Sequence, residues 1–171
     1  MLSKKIESAL NKQINHEISA AYNYLAMAGH FERGNLTGFS NWMLQQRNEE
    51  LEHAMKLYQY LLDRGGKLEL SAIPKPQGSF GSIHAVFAKA LEQEKINTKA
   101  IHSLYSLAAK ENDYTTQSQL QWFLDEQVEE EKIMDEVIAL LDLAKGEKSA
   151  LLVLNQQLGE RKGESTEGSR G

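Results

Sequence analysis

The chain has 171 residues, of which 41% are hydrophobic and 25% charged, and its net charge is −5 at pH 7. This length allows a sizeable core, and the mild negative charge gives no reason to expect a nucleic-acid partner. The sequence contains no cysteine, which excludes disulfides, thiolate zinc sites and iron–sulfur clusters. No stretch reaches about 18 consecutive apolar residues and the N-terminus lacks the apolar part of a signal peptide, so we expect a cytoplasmic protein with no membrane span.

Long helices are predicted along most of the chain, since its only prolines, Pro74 and Pro76, lie in one segment. The predicted helices cover about 5–33, 37–64, 83–111 with Ser82 as N-cap, and the stretch from a cap at Asp113 to about 145, followed by a short apolar helix at about 149–158. Short turns make two antiparallel hairpins, and residues 66–81 are long enough to cross the bundle. We therefore predict an all-α fold: a four-helix up-down-crossover bundle with a short fifth C-terminal helix. One domain is expected over 1–158, and a polar, disordered tail over 159–171.

Each long helix carries apolar residues at alternating spacings of four and three, which is typical of the core seam of a helix bundle. On the third helix the predicted stripe is Phe87, Leu91, Glu94, Thr98, Ile101, Tyr105 and Ala108. Polar residues interrupt this seam near the middle of each helix: Glu17, then Glu50 with His53, then Glu94, then Gln127 with Glu130. Ionised groups in such an interior cost several kcal/mol each unless something compensates their charge. Four acids at seam positions therefore predict a bound cation.

The positions of these residues support the prediction of a metal centre. In an antiparallel hairpin, residues equally far from the turn lie at the same height. Counting from the first turn, near residue 35, places Glu17 level with His53, and counting from the second, near residue 112, places Glu94 level with Glu130. Glu50 and His53 leave the same helix face because they are three residues apart. Carboxylate and imidazole ligands suit iron, manganese or zinc. Two divalent ions would neutralise the four acids, with Glu50 as the natural bridge of a dinuclear centre.

The second half of the predicted centre is asymmetric. A symmetric di-metal bundle has a second Glu-x-x-His motif, whereas this chain has Gln127-x-x-Glu130. Considered alone, Gln127 is better explained as a hydrogen-bond donor to a ligand than as a ligand. The second metal is therefore weakly held, which suits an ion that is substrate and leaves.

Taken together, these motifs resemble the bacterial non-haem ferritins over essentially residues 1–160. The matching motifs are Asn15-His16-Glu17 with Tyr24, Glu49-Glu50-Leu51-Glu52-His53, Glu94, and Trp122 through Gln127-x-x-Glu130. The resemblance implies a homo-oligomeric cage of 24 subunits with a ferroxidase centre in each. It further implies that iron(II) is oxidised by dioxygen or peroxide and that iron(III) is stored inside as a mineral. The fifth helix resembles the one around the four-fold axis of such cages.

Roles for individual residues also follow from the resemblance. It implies a first iron held by Glu17, Glu50 and His53, and a second held by Glu50, Glu94 and Glu130, with Gln127 beside it. It implies a third iron site formed by Glu49, Glu126, Glu129 and Glu130. Tyr24 resembles the tyrosine proposed to donate an electron to the centre, with Trp122 nearby. Haem is not expected, because Glu52 stands where haem-binding relatives carry a methionine.

Other interpretations remain open from the residues alone. One is a di-iron oxidase acting on an organic substrate, although the missing second Glu-x-x-His and the short chain argue against it. Another is a structural bundle with a buried polar network and no metal. Tyr24 by itself would be core filling, and the acids Glu49, Glu126 and Glu129, which lie beside the seam, would be a solvated face about as often as a site.

Overall fold

The computed structural model describes residues 2–161, and this part of the chain is built from five α-helices. They are α1 (Lys4–Arg33), α2 (Thr37–Asp63), α3 (Ile83–Lys110), α4 (Tyr114–Ala144) and α5 (Lys148–Gly159). The all-α prediction is confirmed, and each predicted helix agrees with an observed one to within two residues at either end. No helix among the described residues is long and apolar enough to cross a bilayer.

Side-chain caps begin two of the helices where the sequence predicts them. Ser82 Oγ accepts a hydrogen bond from the backbone N–H of Ala85 at 3.1 Å, and Asp113 Oδ1 accepts one from Thr116 at 3.0 Å. Each bond satisfies a backbone donor that has no partner within the helix. At the other end of α4 the chain turns through Gly146, whose φ of 76° is favourable for glycine.

The connection between α2 and α3 runs along α1 and so carries the chain from one end of the bundle to the other. The side chain of Asn11 donates to the carbonyl of Lys67 at 2.8 Å, and Asn15 accepts from the backbone N–H of Ser71 at 3.1 Å. Further on, Phe80 is buried in the core near the opposite end. The up-down-crossover topology is confirmed, with α3 parallel to α2.

The core consists of two apolar clusters with a polar layer between them. Phe31, Phe39 and Phe87 belong to the cluster at one end, and their ring centroids lie 5.3–6.0 Å apart. Leu10 and Phe123 belong to the cluster at the other end. The polar layer contains the buried side chains of Gln13, Glu17, Gln46, Glu50, His53, Glu94, Asn97, Gln127 and Glu130. This arrangement places the predicted centre at the middle of all four long helices.

The predicted core stripe is wrong in detail on α3. Leu91, Thr98 and Tyr105 are only half-buried, while Ala90, Asn97 and Leu104 are buried in their place. From Phe87 the buried positions follow spacings of three and then four, whereas the predicted stripe takes four and then three, so the two coincide at every second position and differ by one residue between them. As a consequence, the amide of Asn97 enters the polar layer, which the sequence pattern did not predict.

The predicted start of the disordered tail at residue 159 is too early. Gly159 is the last residue of α5, and the Arg161 side chain bonds to Gln46 and Glu49 of α2. The helix continues because α5 packs against the start of α2, a contact that helical periodicity does not reveal. The remainder of the predicted tail, 162–171, lies outside the described residues.

Candidate metal centre

The strongest candidate for a metal site is formed by Glu17 of α1 with Glu50 and His53 of α2. One ligand atom from each lies within 4.8 Å of the others, and all three side chains are buried. Glu50 Oε2 and His53 Nδ1 are 3.8 Å apart, and neither atom has a hydrogen-bond partner within the described residues. Buried polar atoms are nearly always bonded, so two such atoms facing each other are suited to bind a cation. The residues present therefore suit a divalent metal.

Glu94 and Glu130 lie on the side of the layer formed by α3 and α4. Glu94 Oε1 accepts a hydrogen bond from the Tyr24 hydroxyl at 2.5 Å, and the charge of Glu94 acts on the nearby carboxyl group of Glu50. Glu130 Oε2 accepts one from the Gln46 amide at 2.7 Å. These two carboxylates face the first group but lie outside the tight cluster of three. Their part in holding a second metal stays a prediction.

Gln127 directs its amide nitrogen at Glu94 rather than offering an oxygen to the centre. Its Nε2 donates to Glu94 Oε2 at 3.3 Å and to the Thr98 hydroxyl at 3.2 Å. Its Oε1 accepts from Asn97 at 3.3 Å. This geometry matches a hydrogen-bond donor that orients Glu94.

Two amides that the sequence interpretation missed fix the position of Glu17. Gln13 donates to Glu17 Oε1 at 2.8 Å, and Asn97 donates to Glu17 Oε2 at 3.0 Å. Gln13 also donates to Asn97 Oδ1 at 2.6 Å. A signal was present in the sequence, because Gln13 stands one helical turn before Glu17 and Asn97 stands three residues after Glu94.

Burial gives the carboxyl groups of this layer a high affinity for protons. It raises the pKa of Glu17, and it raises that of Glu50 well above the usual value, with a further increase from the charges of Glu94 and Glu17. Burial, opposed by the hydrogen bonds from Tyr24 and Gln127, raises the pKa of Glu94 to about 7. Burial together with the charge of Glu94 likewise raises the pKa of Glu130 to about 7. Protons and metal ions therefore compete for the same oxygens.

His53 is neutral at physiological pH, which is the form that binds metals. Burial, with a smaller effect from the charge of Lys56, lowers the pKa of His53 to about 4. The ring of Trp122 meets the imidazole edge-on at a centroid distance of 5.2 Å. The Tyr24 hydroxyl stays protonated, because burial and the charge of Glu94 raise its pKa well above the usual value. A redox role for Tyr24 stays a prediction.

The acids of the predicted third site besides Glu130 differ in their exposure. Glu49 is half-buried and accepts hydrogen bonds from the Arg161 guanidinium at 3.1 and 3.2 Å. Glu126 is half-buried, and its charge contributes to the raised pKa of Glu130. Glu129 is exposed. Whether these acids bind one ion together stays a prediction.

A crossover four-helix bundle with carboxylates and an imidazole projecting into its middle defines the ferritin-like class of proteins. Comparison with known proteins agrees. The family model described as Ferritin, a ferritin-like domain, matches residues 7–144. The chain is 41% identical over 161 residues to bacterial non-heme ferritins from Staphylococcus aureus and Staphylococcus haemolyticus, covering 94% of this chain and 97% of each relative.

Solved structures give the same result. An open-pore ferritin from the hyperthermophilic archaeon Archaeoglobus fulgidus superposes with a TM-score of 0.94 at 43% identity, covering 95% of this chain and all of that one. A humanized archaeal ferritin superposes with a TM-score of 0.93 at 44% identity, covering 95% and 98%. The chain therefore belongs to the ferritin family. Iron storage is the function that this membership supports.

Proposed function

We propose that the protein is a ferroxidase that binds iron(II) at this centre, oxidises it with dioxygen or peroxide, and retains the iron(III) as a mineral within an assembly of identical chains. The observation that carries the proposal is the facing pair of unbonded buried atoms, Glu50 Oε2 and His53 Nδ1, beside Glu17. Family membership supports iron as the ion. Family membership alone does not identify which residues of this chain bind the ion.

In this proposal iron is the substrate, and the side chains act as ligands and charge compensation. Glu17, Glu50 and His53 hold one ion, and Glu50, Glu94 and Glu130 hold the other. The four carboxylates neutralise two iron(II) ions. Each ion gives up one electron, and dioxygen accepts two electrons with two protons to give hydrogen peroxide.

The hydrogen bonds described above explain how such a centre can turn over. Gln13 and Asn97 hold Glu17 on the first ion, while Gln127 directs a donor, not a ligand, at Glu94. The second ion is therefore held by oxygen alone, without an imidazole. This asymmetry favours release of the oxidised product towards the mineral.

Storage requires an assembly, and the surface of α5 supports one. Leu152 and Val153 project from α5 with 61% and 54% of their surface exposed, and apolar side chains grouped in this way mark contact surfaces. Symmetric closed assemblies of identical chains are the common outcome of such contacts. A cage of 24 copies of this 19.3 kDa chain would have a mass of about 460 kDa. We place this assembly in the cytoplasm.

Oxygen consumption after anaerobic addition of iron(II) tests the ferroxidase activity. We expect the wild-type protein to oxidise iron faster than buffer, and the combined variant Glu50→Gln with His53→Ala to lose roughly a hundredfold in rate, since its first ion loses two ligands. Glu52→Gln is the matched control, because Glu52 is an exposed carboxylate on the same helix. Equal rates for the wild type and the combined variant would reject the centre as the site of oxidation.

Mass measurement by light scattering after size exclusion tests the storage part separately. We expect a large assembly that keeps hundreds of irons through the column. A monomer or dimer that oxidises iron would retain the ferroxidase proposal and reject storage.

A further inference from the structure

Arg161 reaches the inner edge of the centre because α5 is docked on the beginning of α2. The Asn155 side chain accepts a hydrogen bond from the backbone N–H of Phe39 at 3.0 Å, and so caps α2, whose own N-cap residue has no side-chain cap. Asn41 donates to the Gly159 carbonyl at 2.9 Å. A Cβ atom added at Gly38 would lie 1.6 Å from the Asn155 carbonyl oxygen. The backbone leading to Arg161 is therefore held tightly against α2.

The guanidinium of Arg161 contacts three side chains of α2. It lies over the Trp42 ring, 5.1 Å from the centroid. One nitrogen donates to Gln46 Oε1, and another donates to both oxygens of Glu49 at 3.1 and 3.2 Å. Only 21% of the Arg161 side chain and 13% of the Glu49 side chain are exposed. This is a mostly buried ion pair at a carboxylate of the predicted third site.

The same guanidinium also acts on Glu130 through Gln46. The Gln46 amide has one oxygen and one nitrogen, and because Arg161 occupies the oxygen, the nitrogen faces Glu130 Oε2 at 2.7 Å. Arg161 therefore influences two acids of the third site, Glu49 directly and Glu130 through an oriented amide.

We propose that Arg161 is a built-in competitor for the third cation: it occupies Glu49 when that site is empty and must leave when a divalent ion binds there. The inference rests on the proposed function and extends it. Both oxygens of Glu49 accept hydrogen bonds from one cationic group, whose positive charge opposes the approach of a second cation, so withdrawal of the guanidinium favours binding of a metal ion there. The backbone is fixed by α5, which means that only the side chain has to move. Arg161 thus sets the affinity of the third site relative to the first two.

Zinc(II) titration calorimetry of the metal-free full-length assembly tests this, because zinc binds without being oxidised. We expect tight binding at the centre in all variants and a weaker third ion in the wild type. Arg161→Ala and Arg161→Gln each remove the cationic partner of a mostly buried ion pair. We therefore expect both variants to bind the third zinc ion roughly tenfold more tightly. Arg161→Lys should return the affinity towards the wild-type value, since lysine keeps the charge. Lys148→Ala, which removes a cation at the other end of α5, should change nothing.

The background Glu49→Gln separates competition from a structural role. There we expect Arg161→Ala to lose its tenfold effect on the third ion, leaving only the smaller change transmitted to Glu130 through Gln46, whereas a general loosening of α5 would act equally in both backgrounds. An unchanged or weaker third ion in both neutral variants, with the assembly intact, overturns the proposal. If wild-type protein binds no zinc that His53→Ala removes, the proposed function itself fails, which is a different result.

A zinc-soaked crystal of the wild-type protein provides a test that needs no substitution. We expect zinc on Glu49 with the Arg161 side chain withdrawn from it. Zinc and Arg161 bonded to the same carboxylate would overturn the proposal, even if the variants failed to assemble.

Discussion

Glu94→Gln should make the metal-free protein more stable at alkaline pH. The pKa of Glu94 is raised from 4.5 to about 7, so the folded state holds this proton more tightly than the unfolded state does. The resulting stabilisation is present below pH 4.5 and is lost as the pH rises through 7. A difference of this size corresponds to about 3 kcal/mol at pH 8. Glutamine is neutral, keeps an oxygen for the Tyr24 hydroxyl, and removes the charge that raises the pKa of Glu130.

Differential scanning calorimetry in the presence of a chelator measures this effect. At pH 8 we expect the Tm of Glu94→Gln to exceed that of the wild type by roughly 6–12 °C, and at pH 5 we expect the two to be similar. Glu92→Gln, an exposed change on the same helix, should follow the wild type at both pH values. If Glu94→Gln is no more stable than the wild type at pH 8, ionisation of Glu94 does not destabilise the folded protein and the reasoning is refuted. Zinc should reverse the order, because only the wild type keeps all its carboxylates for the metal.

His53→Ala should weaken binding of the first zinc ion by at least about tenfold in calorimetric titrations, since it removes the imidazole ligand; exposed His102→Ala should not, and equal losses would contradict the assignment. Metal loading should release more protons at pH 6 than at pH 8, because two carboxyl groups have pKa values of about 7. Calorimetry in buffers of different ionisation enthalpy measures the number of protons released. Equal proton release at pH 6 and pH 8 would contradict the prediction. Gly38→Ala should lower the Tm, because the added methyl group would overlap the backbone carbonyl of Asn155. Gly29→Ala should raise the Tm slightly, because no atom lies within 4 Å of the added Cβ there. Similar Tm changes in the two variants would show that α5 is not held at Gly38.

The helices could be predicted because the signals that define them are local. Ser82 and Asp113 cap helices where the sequence places them, and the two prolines mark the crossover. The position of the centre along the helices was also predictable, since reflection about a short turn fixes which residues of an antiparallel pair are level. Glu17 and His53 meet for this reason.

Features that depend on how the two hairpins rotate against each other could not be predicted. Asn97 enters the polar layer and Thr98 does not, because the buried face of α3 differs by one residue from the extrapolated stripe. The sequence predicts a tail around Arg161 because this Gly- and Glu-rich stretch has no apolar periodicity. Its contact with Glu49 comes from the folding back of α5 on α2, which is a long-range event.

The separation of the apolar interior into two blocks has a consequence for durability. Among the described residues, sixteen buried side chains pack the helices together at one end of the polar layer, and eleven do so at the other. Loss of the ions proposed to bind in the polar layer would therefore loosen only that layer, while both apolar clusters keep the helices packed. The proposed centre would then gain and lose ions repeatedly without unfolding of the chain.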